Sequence, residues 1–280
     1  MAEGCSGENR ESRYAQHLAS NAEALISKHR VEVGLCVVSG MASSRIGWRE
    51  LPYAALPQPL DGSGLVCAPL VVPLTGLPAL DVLLVSGVRS EENVMRGEEI
   101  ELVGLAQRLP ALAQEENATL VMPGTHSKHV KLARGMILDF DTFMTGELFG
   151  HLQSVPTLRD CLRSSESFDG KNPWYVRGVR EAASGGFLKS IFKIRSRTLL
   201  AGTSPTDGVA YLSGLLIGTE LLQLSVDPGH RVFIAAGGSL GALYGSALAE
   251  LGIANAEFID GDMMSAAIVC GHLQMLKNVA

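Results

Sequence analysis

The 280-residue chain is poor in aromatic side chains, has no excess of positive charge and contains no C-x-x-C pair. Each shortage excludes a class of function. Its five cysteines, Cys5, Cys36, Cys67, Cys161 and Cys270, are scattered and odd in number. That pattern fits reduced thiols in a cytoplasmic protein, not a disulfide framework or a zinc site. The net charge of −6 gives no support to a nucleic-acid partner, because a sequence-independent grip needs a basic surface. No secretory leader is expected, since the first 30 residues are polar, with Glu3, Glu8, Arg10, Glu11 and Arg13. The most apolar stretch, 65–88, is interrupted by Pro69, Pro73, Pro78 and Asp81, so no membrane span is expected. Neither the G-x-x-x-x-G-K-[ST] nor the G-x-G-x-x-G spacing occurs, which removes the P-loop and dinucleotide-dehydrogenase readings. There is no repeat of 20–50 residues and no low-complexity tract.

What is present is ordinary for a compact protein: 46% hydrophobic and 19% charged residues, enough for one large α/β domain or two modest ones. Tyr14, Leu18, Ala22, Leu25 and Ile26 recur at helical spacing and predict a helix over 11–30. Short apolar runs at 33–38 and 81–85 read as strands, separated by an irregular stretch over 45–64. A helix is expected over about 95–109. Residues 119–122 and 129–132 flank the turn Pro123-Gly124-Thr125-His126 and read as a β-hairpin. A strand at 136–140 and a helix at 143–152 follow, then a weakly patterned stretch over 160–208. A buried helix at 212–224 precedes two strand–turn–helix units, 231–251 and 256–276. Strands that alternate with helices argue an α/β sheet. The domain boundary is expected near residue 117, giving halves of 1–117 and 118–280.

Five short segments can carry chemistry. The hairpin tip V-M-P-G-T-H-S-K at 121–128 exposes backbone N–H groups which, with the hydroxyls of Thr125 and Ser127 and the ammonium of Lys128, could hold phosphate oxygens. An ordinary tight hairpin is the plainer alternative, and no third ligand joins His126 and His129 as a metal pair. The turn Gly237-Gly238-Ser239 lies between a buried strand and a helix, where helix N-termini bind anions; it also reads as a plain connection. In N-V-M-R-G-E-E at 93–99, Glu98, Leu102, Leu105 and Leu109 share one helical face. Burial would raise such a carboxylate's pKa and suit it to take a proton from a hydroxyl, although Glu98 and Glu99 could simply complement the helix dipole. The loop over 39–53 combines small residues with Arg45, Arg49, Trp48 and Tyr53, and an arginine there could pair with a carboxylate or be merely solvated. Thr145 and Glu147 read as a helix cap and its first turn, and Asp262 as another cap.

Taken in order, the motifs S-G-M-x-x-S-R-x-G-W, P-Y, N-V-M-R-G-E-E, V-M-P-G-T-H-S-K, F-x-T-x-M-T-G-E-L and L-S-G-L-L-I-G resemble those of the 2-dehydro-3-deoxygalactonokinases, over roughly residues 12–280. The resemblance implies an α/β protein of two ribonuclease-H-like halves, the actin-like ATPase and sugar-kinase fold, with ATP held between them. It implies magnesium- and ATP-dependent phosphorylation of the 6-hydroxyl of a small-molecule sugar acid, 2-dehydro-3-deoxy-D-galactonate, in cytoplasmic galactonate catabolism. A homo-oligomer is compatible with it. The first half would bind the sugar acid and the second the nucleotide. Glu98 would be the base, with Arg96 as electrostatic partner and Glu99 as nearest rival. Gly124, Thr125, Ser127, Lys128, Gly237, Gly238 and Ser239 would bind nucleotide. Gly40, Met41, Ser44, Arg45, Trp48, Tyr53, Asn93, Thr145 and Glu147 would bind the sugar acid. Two departures stand out. The family pattern would open with an apolar strand and a D-x-G-(S/T)-T-x-x-R-type phosphate loop, whereas this sequence opens on polar residues, so the first half is expected to be incomplete. Ser43 stands where glycine is expected. The first departure leaves a second reading: a relative that binds sugar acid or nucleotide with impaired turnover or none.

Overall fold

The computed structural model describes residues 7–225, 227 and 229–279, so Glu3 and Cys5 lie outside the described residues. The chain divides into two compact units. The first comprises Met1–Ala113, Gly135–Leu138 and Ser265–Ala280; the second comprises Gln114–Arg134 and Asp139–Met264.

The first unit opens with α1 (Gly7–His29), longer than its apolar period suggests because its first residues are polar and carry no periodic mark. Strand β1 (Leu35–Val38) is followed by two short strands, β2 (Ala54–Ala55) and β3 (Gln58–Pro59). A long hairpin comes next, β4 (Cys67–Leu74) and β5 (Leu77–Val85). The sheet order is β1-β5-β4, with β1 parallel to β5 in the register Leu35↔Asp81 to Val38↔Leu84. The strand expected at 81–85 is thus the buried end of a longer one. β4 escaped sequence reading because of its prolines, yet an edge strand tolerates proline, and among the described residues β4 pairs only with β5. On one face, Tyr14, Leu18 and Ala22 of α1 pack with Trp48, Leu70, Val72, Leu80 and Leu84. The Tyr14 and Trp48 rings stack with centroids 6.2 Å apart.

Beyond β5, β6 (Val88–Arg89) and β7 (Val94–Met95) form a small sheet with β2 and lead into α2 (Glu98–Arg108) and the short α3 (Pro110–Gln114). The C-terminal part of α9 (Gly261–Val279) returns to pack on α2. The two helices cross closely. A Cβ on Gly104 would lie 1.7 Å from the carbonyl oxygen of Ala267, and one on Gly271 would lie 2.1 Å from that of Ile100.

The second unit is built on strands β8 (Ala118–Met122), β9 (Ser127–Ala133), β10 (Met136–Phe143), β11 (Arg231–Ala235) and β12 (Ala256–Ile259) in the order β12-β11-β8-β9-β10. β8 and β9 are the expected hairpin, antiparallel in the register Val121↔His129, and β11 runs parallel to both β8 and β12. The opening residues of β10, Met136 and Ile137, belong to the first unit and pair there with β3. Helices α4 (Thr145–Ser154), α5 (Pro173–Ala183), α6 (Phe187–Ala201), α7 (Pro205–Leu221) and α8 (Gly238–Glu250) complete the unit.

α7 is buried on nearly every side, as its apolar sequence requires. The weakly patterned stretch contains α5, α6 and the start of α7. Its period is masked because one polar group, Glu181, sits on the packed side and draws in others. It accepts hydrogen bonds from Arg177, Lys193, Arg197 and Tyr211. Burial pushes the Glu181 carboxyl up, but those donors outweigh it and hold the pKa at about 2. Trp174 lies under the guanidinium groups of Arg177 and Arg197, at 5.1 and 5.7 Å. No helix among the described residues is long and apolar enough to cross a membrane.

The α2–α9 crossing gives a first prediction. Gly104→Ala forces a methyl group into a backbone carbonyl, and overpacking of this kind costs about 1–3 kcal/mol. Urea denaturation should show a loss of that size, and an unchanged midpoint would contradict the close crossing.

Candidate functional site

In the first unit, the loop after β1 forms a one-turn 3-10 helix, Gly40–Ser43, which is tied down by its own backbone. The amides of Trp48 and Arg49 donate to the Ala42 carbonyl, and that of Leu51 donates to Ser43. Gly40 has a φ of 74° and meets Gly97, φ 116°, backbone to backbone; a Cβ on Gly97 would lie 3.6 Å from the Gly40 Cα. This contact brings the loop beside the start of α2. Arg96 fastens it there. Its Nη1 donates to the Ser43 carbonyl oxygen at 2.6 Å and to the Ser43 hydroxyl at 2.5 Å, and its guanidinium lies 4.1 Å over the Tyr53 ring. Ser43, the residue that departs from the expected glycine, is fully buried and gives this arginine a second acceptor.

The structure sorts the predicted residues of this unit. Gly40, Tyr53, Arg96 and Glu98 come together, with Met41 and Arg45 exposed on the same loop and Asn93 half-buried in the turn before β7. Trp48 does not line an opening. It is buried beneath the loop against Tyr14, because its ring is the largest of the apolar groups, with Ala42 and Leu51, that the loop offers to the core. Ser44 is also buried, and its hydroxyl donates to the Met41 carbonyl. The burial expected of Glu98 falls on Glu99. Glu98 is half-buried at the first position of α2, and its carboxylate accepts the Arg96 amide at 3.0 Å. Glu99 is completely buried and accepts from the Gly97 amide at 2.8 and 2.9 Å.

In the second unit, Gly124, Thr125 and His126 form the exposed hairpin tip. The tip sits close over the start of α4. A Cβ on Gly146 would lie 2.6 Å from the Gly124 carbonyl oxygen, and the Glu147 amide donates to Thr125 at 3.0 Å. The Glu147 carboxylate accepts from His126 at 2.6 Å, which lowers its pKa. Ser127 and Lys128 are not exposed beside the tip. Alternation along β9 turns Ser127 inward to Glu220, while Lys128 folds back to donate to the His126 carbonyl oxygen at 2.8 Å. Thr145 does not cap α4. The cap is Met144, and the Thr145 hydroxyl donates to Glu220 instead. Asp262 likewise yields the capping role to Asp260, which accepts the Met263 amide. Gly237, Gly238 and Ser239 open α8 as expected, with Gly238 at φ 59°.

Two features of this unit were missed from the sequence. One is a mainly apolar cavity of about 360 Å³, bordered by Gly124 and Gly146 on one side and by Leu240, Leu243 and Tyr244 of α8 on the other, with Phe149 and Phe168 in its wall. The other is Glu220, a buried carboxylate near the end of α7. It accepts from Ser127, His129, Thr145 and Tyr244. A lone acid at the end of an otherwise apolar helix was the available signal. His129 is therefore occupied by Glu220, and His126 by Glu147.

Residues 2–270 match the family described as 2-keto-3-deoxy-galactonokinase. The chain is 33% identical over 236 residues to the "Probable 2-dehydro-3-deoxygalactonokinase DgoK1" of Rhizobium meliloti (strain 1021), covering 81% of this chain and 73% of that protein. It is 34% identical over 220 residues to the 2-dehydro-3-deoxygalactonokinase of Escherichia coli (strain K12), covering 77% and 70% of the two chains. A crystal structure of a Sinorhizobium meliloti protein that carries the 2-dehydro-3-deoxygalactonokinase name matches with a TM-score of 0.77 at 29% identity, over 92% of this chain and 84% of that one.

Glu99 makes the first unit sensitive to pH. Burial pushes its carboxyl up to about 8, against the opposing hydrogen bonds from backbone amides, and burial pushes Glu101 up to about 7. Each group holds a proton in the folded state that the unfolded chain releases near its ordinary value of 4.5. Stability is therefore greatest below that value and falls as pH rises, to about 7 for Glu101 and to about 8 for Glu99, by up to about 1.4 kcal/mol per unit for Glu99 and less for the more exposed Glu101. Glu99→Gln should flatten the fall in melting temperature between about pH 5 and pH 8, leaving the smaller share from Glu101. Parallel wild-type and variant curves would refute the assignment.

Proposed function

The chain belongs to the 2-keto-3-deoxy-galactonokinase family and is a carbohydrate kinase, and from this we propose that it transfers the γ-phosphoryl group of ATP to the 6-hydroxyl of 2-dehydro-3-deoxy-D-galactonate in the cytoplasm, as a step of galactonate catabolism. The first unit holds the sugar acid and the second the nucleotide. The observation that carries the reading is the apolar cavity of the second unit. Its border combines the exposed hairpin tip with the opening helix turns of α8, so a flat heterocycle can enter while its phosphates remain at Gly124 and Thr125. Gly237, Gly238 and Ser239 add unpaired amides at a helix N-terminus, which favour negative charge. Ser127 and Lys128 act from within the hairpin, Ser127 by fixing its inner face and Lys128 by placing a cation behind the tip.

No group of three or more His, Cys, Asp or Glu side chains among the described residues is arranged to hold a metal. Magnesium suits such a site, because it binds chiefly through substrate phosphates and water with one or two protein oxygens. The Thr125 hydroxyl and the Glu147 carboxylate at the tip are the oxygens that would join that shell. Bound there with ATP, magnesium would neutralise charge that develops on the phosphates.

On the sugar side, the loop that carries Gly40, Met41 and Arg45, with Ser44 bracing it from inside, receives the carboxylate and keto end; Arg45 and Arg49 are its exposed cations. Tyr53 lies under the Arg96 guanidinium at the loop's end, Asn93 is half-buried in the turn before β7, and Trp48 is the loop's footing. Thr145 and Glu147 instead organise the nucleotide side. Glu98 takes the 6-hydroxyl proton as that oxygen bonds to the γ-phosphorus and the bond to the bridging oxygen breaks, releasing ADP. Its partial exposure supports this choice over Glu99, which is sealed from any substrate. Arg96 holds the loop against the base rather than meeting the acid itself.

A coupled ADP-release assay with 2-dehydro-3-deoxy-D-galactonate, ATP and magnesium tests the reading, and absence of turnover would sink it. In that assay Glu98→Gln should lower kcat roughly 10²–10⁴-fold with little change in either KM. Full turnover by the variant would remove Glu98 from the chemistry.

A further inference from the structure

We propose that Glu220 is a positioning residue for phosphoryl transfer: it locks the phosphate hairpin to the wall of the nucleotide cavity. The proposal rests on the kinase reading and adds a residue to it. Glu220 is buried to 2% exposure near the end of α7, where a hydrophobic side chain would be the ordinary occupant. An isolated carboxylate there would be expensive, and its retention calls for donors on all sides.

The donors come from three separate segments. Oε1 accepts the Ser127 hydroxyl at 2.7 Å and the His129 Nε2–H at 3.1 Å, both on the strand that leaves the hairpin tip. Oε2 accepts the Thr145 hydroxyl, from the first residue of α4, directly under that tip. The Tyr244 hydroxyl on α8 reaches both oxygens, at 3.0 and 2.9 Å. Thr145 and Tyr244 also line the cavity. One carboxylate therefore fixes, at once, the strand beneath the phosphate-binding amides and two of the walls that receive the heterocycle.

The chemistry of this arrangement favours a carboxylate. An ionised carboxylate only accepts hydrogen bonds, through about four lone-pair sites, and all four partners present a donor. A glutamine of the same shape is neutral and turns an NH2 toward Thr145 and Tyr244, whose hydroxyls would have to reverse and accept, so the charge-assisted bonds to all four partners are weakened. The hairpin is then held less firmly against the cavity, and a misplacement of order 1 Å can cost about 10²-fold in rate.

The experiment compares wild type, Glu220→Gln and Thr145→Val. Affinity for the non-hydrolysable analogue AMP-PNP with magnesium is measured by calorimetry, turnover by ADP release, and folding by circular dichroism melts. For folded Glu220→Gln the expected result is at least tenfold weaker AMP-PNP binding and about a hundredfold lower kcat, with the KM for the sugar acid within twofold of wild type. A loss of melting temperature alone, with AMP-PNP affinity and kcat within twofold of wild type, would reduce Glu220 to a packing role and overturn the proposal. If Glu220→Gln does not fold, Thr145→Val decides. It removes one donor without placing an amide in the core, and it should weaken AMP-PNP binding several-fold; unchanged binding overturns the proposal. Wild type that binds AMP-PNP but does not turn over the sugar acid would refute the substrate reading, while the binding comparison still decides Glu220.

Discussion

A carboxylate withdrawn from water persists only where donors converge on it, and the second unit is arranged around that requirement at Glu220. The hairpin, the start of α4 and α8 are far apart in sequence, and none would be held in register by apolar packing alone, since packing tolerates sliding more readily than directed hydrogen bonds do. The same unit contains a second carboxylate centre at Glu181, which joins α5, α6 and α7. The two centres differ in kind. Glu181 is met by three cations and lies near the surface, whereas Glu220 is met by three hydroxyls and one imidazole in the interior. The first balances charge; the second fixes direction.

The first unit solves a related problem with a cation. The loop after β1 buries Ala42, Trp48 and Leu51 in the core, and a polar fastening sets it beside α2. Arg96 supplies this through Ser43 and Tyr53, and the facing glycines at 40 and 97 permit the approach. Adjacent acids then divide by depth. Glu99 closes the helix start from inside, and Glu98 stays within reach of solvent. A single turn of helix thus yields two carboxyl groups in different surroundings, one sealed and one open to solvent.

Much of this was legible in the sequence, and the limits have physical causes. The hairpin, the strand–turn–helix units and the α/β class announce themselves by period and by glycine placement, because those elements bury one face against a sheet. The family resemblance rested on six ordered motifs and named the kinase. α5 and α6 were hidden because their packed faces carry charged residues that serve Glu181. The return of 265–279 to the first unit leaves no local trace, since helix periodicity says nothing about which partner the face meets. Side-chain direction was the least legible. Ser127, Lys128 and Trp48 have the right chemistry for ligand contact, yet strand alternation turns Ser127 to Glu220, Lys128 folds back on the His126 carbonyl, and core demand buries Trp48. Glu220 was overlooked for the converse reason, since its significance lies in donors up to 93 residues away.

The placement of the aromatic residues has an optical consequence. The chain has two tryptophans, and each compact unit contains one. Trp48 is sealed against Tyr14 in an apolar setting, while Trp174 lies half-buried beneath two guanidinium groups. An indole in a dry pocket and one under positive charge emit differently, so intrinsic fluorescence gives the two units separate signatures. The loop after β1 and the helices around the apolar cavity of the second unit are therefore each provided with a native spectroscopic reporter, and loosening of either can be followed without attaching a label.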